Sequence, residues 1–175
     1  MPHSPIRNMA RSALFTAMLS ICSWINLPLP NINLTMQTFG IFLTLGLLGG
    51  QWGTAACLTW LALGAVGLPV FSGFRGGLGV LLGATGGYLW GFLVACLVYW
   101  SVTARFGMNS RLPAMLLGLL CCYVCGTLWY SFVYLNGAVS VLPVLAQCVF
   151  PYLIPDAVKL FLAHRLIEQL NRFVS

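Results

Sequence analysis

Apolar residues run in long blocks along this chain. Polar and glycine-rich breaks cut the blocks into segments close to the length of a membrane crossing. The first block spans residues 9–27 and stops at Pro28-Leu29-Pro30, where proline disfavours further helix. A polar stretch over 31–36 follows. Helix is expected over roughly 37–48 and, past a break at Gly49-Gly50, over 52–66. A glycine-rich segment, 67–87, separates these from a helix over 88–103. A short polar loop leads to a helix over 112–135, closed by the turn signal Asn136-Gly137. The last helix, 141–170, contains Pro143, Pro151 and Pro155, which are expected to kink it.

Six helices put both termini on one side of a membrane. The arginines agree: Arg7, Arg11, Arg105, Arg111, Arg165 and Arg172 fall at helix ends that share the cytoplasmic side, and Arg75 alone falls outside. Five or seven helices would scatter them. The expected fold is therefore an all-α integral membrane protein, one domain over 1–175, with both termini cytoplasmic and a glycine-rich outer loop between helices three and four.

Composition supports that class. The chain is 60% hydrophobic and 6% charged, with a mean hydropathy of +0.95, which excludes a soluble domain. The net charge of +6 does not point to nucleic acid, because the basic residues are scattered at segment ends rather than gathered in a stripe. Arg7 and Arg11 precede the first block as in a signal peptide, but no small-residue cleavage site follows, so a retained first helix is expected. All seven cysteines sit in apolar runs. Cys122 and Cys125 form a CxxC without the polar setting that redox or metal chemistry requires, so they read as packing residues. His164 lacks companion metal ligands. The absence of an internal repeat and the small size point to a subunit rather than a complete secondary transporter.

Asp156 and Lys159 change the picture. They lie three residues apart in the last apolar block, and on a helix i and i+3 share a face. Charges at that depth are expensive unless they pair or meet a polar ligand. A structural ion pair is one reading; a functional site is the favoured one. The 67–87 segment carries eight glycines but lacks the lysine of a Walker loop and the pattern of a dinucleotide fingerprint. It is either a flexible connector or a re-entrant outer segment lining a cavity. Arg75 either snorkels to a lipid headgroup or grips an anionic ligand. Thr35, Gln37 and Thr38 either cap the second helix or line a pocket facing Asp156. Asn33-Leu34-Thr35 is a glycosylation sequon too close to the membrane to be used. Ala13 and Ala17 form a small-xxx-small pair that permits close helix approach.

Together these residues resemble the BioY family, the biotin-binding S component of energy-coupling factor (ECF) vitamin transporters. The resemblance covers nearly the whole chain. Gly67-Leu68-Pro69-Val70-Phe71, Gly76-Gly77-Leu78-Gly79 and Gly83-Ala84-Thr85-Gly86-Gly87-Tyr88 look like the family's signature loop, although Ala84 stands where members commonly carry proline. Thr35-Met36-Gln37-Thr38 resembles the polar start of its second helix, and Asp156-x-x-Lys159 its charged pair. Ala13-x-x-x-Ala17 resembles the motif that docks S components on a coupling subunit.

The resemblance implies a biotin-binding subunit of the bacterial plasma membrane, multi-pass, neither an enzyme nor dependent on a cofactor. It would work with a transmembrane coupling subunit and two ATPases, reorienting within the lipid bilayer. Asp156 would accept from the ureido N–H groups of biotin and Lys159 would donate to an oxygen. Trp52, Phe71, Tyr88 and Trp90 are candidate apolar walls. Gln37 and Thr38 would add polar contacts, and Arg75 or loop amides at Gly76 and Gly77 would meet the carboxylate. An S component for another vitamin, a solitary transporter and a membrane enzyme using Asp156 and Lys159 as acid and base are the alternatives.

Overall fold

The structure, a computed structural model, describes residues 5–27, 34–137 and 140–174. Its elements follow the apolar blocks. Helix α1 (Pro5–Trp24) is followed by two short strands, β1 (Asn26–Leu27) and β2 (Leu34–Thr35), then α2 (Gln37–Ala65) and a one-turn helix α3 (Leu78–Leu81). Helices α4 (Gly86–Phe106), α5 (Arg111–Leu128), α6 (Val141–Cys148) and α7 (Phe150–Val174) complete the order. A 3₁₀ turn, Met108–Ser110, leads into α5, and a π-helical turn, Trp129–Tyr134, extends it. Asn33 of the sequon and the Pro28–Pro30 break lie outside the described residues.

The small antiparallel ribbon, Asn26 opposite Thr35 and Leu27 opposite Leu34, departs from an all-helical expectation. It also ends α1 at Trp24 rather than near residue 27, because Asn26 and Leu27 are extended.

Gly49 turns α2 back on itself. Its φ of 81° and ψ of 169° lie in a region open essentially to glycine alone. The two arms are close enough that a Cβ on Gly53 would lie 2.9 Å from Cα of Leu45. In a straight helix eight residues span about 12 Å, so α2 is a helical hairpin, divided where the glycine pair predicted a break. Helix α1 joins both arms through hydroxyls on its buried face. Ser12 Oγ donates to the Trp52 carbonyl at 3.3 Å and Thr16 Oγ1 to the Ala56 carbonyl at 3.1 Å, while Gln37 Nε2 donates to Ser23 Oγ at 3.0 Å.

The last apolar block is two helices bent by 47° at Val149. Pro151, one residue into α7, explains the break, because it has no N–H to continue α6 and suits a helix start. Pro155 is accommodated inside α7.

Among the described residues, α4 and the run Met108–Tyr134 are each long and apolar enough to cross a membrane, the bent α6–α7 pair makes a further candidate span, and α2 has the apolar length for a crossing but folds back at Gly49. This is a multi-pass membrane protein. Its core holds Phe42, Trp60, Phe71, Tyr99, Met115 and Ile167, fully buried between α2, α4, α5 and α7. Trp100 against Gly50, Ile167 against Gly46 and Ser12 against Trp52 gather one end of the bundle, which carries six of the arginines. Arg75 lies at the other end, where Trp24 Nε1 donates to the Pro69 carbonyl at 2.8 Å and stacks on Phe74.

Candidate functional site

At the end of the bundle away from the arginine cluster, a cavity opens between α2, α4, α5 and α7. It encloses ≈ 100 Å³ reachable by the centre of a water molecule, room for several waters or a small ligand. Its walls are mainly apolar: Phe71, Leu89, Phe92 and Leu119 contribute, with the rings of Tyr88 and Tyr152. Asp156 and Lys159 form its polar floor.

Both charged residues are buried, at 5% and 7% exposure. Lys159 Nζ lies 2.8 Å from Asp156 Oδ1 and also donates to the Thr35 carbonyl at 2.7 Å. Tyr123, on α5, donates its hydroxyl to Asp156 Oδ2 at 2.7 Å. Each carboxylate oxygen therefore holds one partner and keeps capacity for another. The ammonium, with three donors, has one beyond those two bonds. The site is a neutralised pair with spare hydrogen-bonding capacity, enclosed by hydrocarbon. It can hold a small ligand that carries both donors and an acceptor on an otherwise apolar frame.

Gln37 and Thr38, buried at the start of α2, line the cavity from the side facing Asp156. Thr35 Oγ1 donates to Gln37 Oε1 at 2.9 Å, and the Gln37 amide reaches back to Ser23 on α1. Gln37 thus ties together α1, the ribbon and the cavity wall.

The glycine-rich segment folds over the mouth of the cavity. Trp60 Nε1 donates to the Val70 carbonyl at 3.1 Å, and Phe71 N–H donates to the Arg75 carbonyl at 2.9 Å, making a tight loop. Its residues Phe71, Ser72, Arg75, Val80 and Thr85 line the cavity. Arg75 is solvent-exposed, with Nε donating to the Ser72 carbonyl at 3.4 Å.

Of the residues singled out in sequence, Asp156, Lys159, Arg75, Gln37, Thr38, Tyr88 and Phe71 come together at this cavity. Gly76 and Gly77 do not line it. The Gly77 N–H is engaged with the Gly64 carbonyl at 2.7 Å, and Gly76 lies against the backbone of Gly67 and Leu68. These glycines close the loop rather than face the cavity. Trp52 and Trp90 are not walls. Trp52 lies beside the hairpin turn of α2, at the other end of the bundle, next to Ser12. Trp90, 41% exposed, points away because residues i and i+2 from Tyr88 occupy different helix faces, and it lines an outer groove with Trp129 and Phe132.

Tyr123, Tyr152, Cys122 and Cys148 line the cavity without having been singled out for it. A signal existed for Tyr123: a tyrosine in the middle of an apolar span needs a partner for its hydroxyl. Asp156 is one of only two acidic residues in the chain. Cys122 is buried, its thiol 3.6 Å from the Tyr88 carbonyl, and Cys125 is half-buried. His164 lies 3.5 Å from Glu168 on α7, outside the cavity.

The BioY family's sequence model matches residues 1–175. The chain is 44% identical over 93 residues to the biotin transporter BioY of Thermotoga maritima, an alignment covering 53% of this chain and 55% of that protein. It is 37% identical over 161 residues to the probable biotin transporter BioY of Pyrococcus horikoshii, covering 91% of this chain and 93% of that protein. Among solved structures, the S-component for biotin from an ECF-type ABC transporter matches with a TM-score of 0.86 at 25% identity, over 98% of this chain and 94% of the other. These relatives are named as transporters, not as enzymes. With a family match over residues 1–175 and a relative 37% identical over 91% of the chain, the chain belongs to the BioY family.

Proposed function

We propose that this chain is the biotin-binding S component of an ECF-type vitamin transporter, capturing biotin from outside the cell. The observation that carries the proposal is the buried Asp156–Lys159 pair on the floor of an apolar cavity. The ureido ring of biotin has two N–H donors and one carbonyl acceptor. Asp156 accepts from one N–H group, and Lys159 donates its remaining N–H to the ureido oxygen on the same edge of the ring. The thioether ring and valeryl chain lie against Phe71, Tyr88 and Phe92. Arg75, exposed at the mouth, meets the carboxylate, since a guanidinium suits that group bidentately.

Six membrane segments arise when α1, the two arms of α2, α4, α5 with its π turn, and the α6–α7 pair are counted. An even count puts both termini on one side, and the arginine-rich end is cytoplasmic by the positive-inside rule. The cavity then opens outward, in a bacterial plasma membrane. Ala13 and Ala17 are exposed on a face of α1 beside the buried Ser12 and Thr16, which supports docking of a coupling subunit there. Two partner ATPases supply the energy, and this chain binds and carries.

Mass spectrometry of whatever small molecule accompanies the purified protein tests the substrate. Biotin at one per chain supports the reading; another vitamin reassigns the cavity within the same class of transporter.

A further inference from the structure

We propose that Tyr123 is a positioning residue for ligand recognition: its hydroxyl sets the plane of the Asp156 carboxylate so that a free acceptor site faces one N–H group of the ligand, beside the Lys159 donor. The inference rests on the biotin reading above.

A carboxylate turns freely about its last torsion, which has broad, two-fold preferences. Lys159 alone does not fix that plane, because an ammonium is a point charge with rotatable donors. Tyr123 differs. Its ring is buried, its O–H is a single directed donor, and it comes from α5 while Lys159 shares α7 with Asp156. The two partners hold opposite oxygens, Oδ1 at 2.8 Å and Oδ2 at 2.7 Å. A carboxylate pinned at both oxygens presents its remaining acceptor sites in fixed directions, and beside the spare Lys159 N–H this makes an acceptor–donor edge that matches one N–H/C=O edge of a cyclic urea, whose two N–H groups point apart. Tyr123 itself lines the cavity, so the bond lies at the binding surface.

Tyr123→Phe tests this, since it removes one oxygen and leaves Asp156 paired with Lys159. Competition against radiolabelled biotin in membranes, for biotin and for whichever of its two N-methyl ureido isomers binds wild type more weakly, gives two affinities per protein. Biotin affinity is expected to fall about 10- to 100-fold, as for a lost hydrogen bond to a charged group. That isomer, which already lacks the Asp156 contact, loses much less, so discrimination between the two shrinks about tenfold or more. A hydroxyl that serves only to hold helices together lowers both affinities equally, and an unchanged ratio overturns the inference. So does unchanged biotin affinity. Ligand-free thermal melting of the variant, expected within a few degrees of wild type, checks that the fold is intact. Wild-type protein that binds no biotin overturns the substrate reading itself, which separates the two failures.

Discussion

Lys159 Nζ and the Thr35 carbonyl, 124 residues apart, are joined by a 2.7 Å hydrogen bond. The same ammonium pairs with Asp156, so one cation anchors the ribbon beside α2 to the middle of α7. The bond puts a structural duty on a residue also assigned to the ligand.

That double duty has a measurable consequence. Lys159→Met leaves Asp156 buried without a counter-charge, and breaking a buried pair in this way costs about 3–5 kcal/mol. Asp156→Asn combined with Lys159→Met removes both charges and is expected to recover part of that loss. Thermal unfolding of the three proteins in detergent gives the comparison. A double variant no more stable than Lys159→Met contradicts a coupled pair.

Gly49→Ala tests the hairpin. Nothing lies within 4 Å of a Cβ at this position, so the penalty comes from the backbone alone. With φ at 81° and ψ at 169°, a loss of about 1–3 kcal/mol is expected, seen as a lowered unfolding temperature. An unchanged temperature contradicts the turn at Gly49.

Much of the helical fold was legible because long apolar blocks and their glycine and proline breaks are local signals. Asp156 and Lys159 were legible for the same reason, since three residues of helix bring them together without help from the rest of the chain. What stayed hidden depends on distant contacts. The pairing of Asn26 with Thr35 needs the chain to return from a loop, and the bond from Tyr123 to Asp156 crosses between helices. Trp52 and Trp90 flank the glycine-rich loop in sequence, but helical rotation turns Trp90 outward and the hairpin of α2 carries Trp52 to the other end of the bundle. The loop amide of Gly77 was hidden too, because its bond to Gly64 closes only when the loop folds onto α2.

Ala13→Trp with Ala17→Trp is expected to abolish co-purification with the coupling subunit while biotin affinity stays within about twofold, because both side chains are exposed, about 100° around α1 from the Ser12 and Thr16 hydroxyls that bond α2. Co-purification of an intact complex refutes this docking face.

Arg75→Gln separates the carboxylate contact from the ureido contacts. Biotin is expected to bind about tenfold more weakly, as for loss of an exposed charge-assisted contact of about 1.4 kcal/mol. The neutral amide of biotin should bind wild type and variant alike. Equal losses for acid and amide remove the guanidinium from the site.

Isothermal titration of biotin into purified wild type and Asp156→Asn goes to the heart of the matter. Wild type is expected to bind one biotin per chain. The variant, still folded, is expected to bind at least about 30-fold more weakly, the loss of about 2 kcal/mol or more that follows truncation of a buried hydrogen-bonded charge. Equal affinities would mean that the carboxylate on the cavity floor does not hold the ligand.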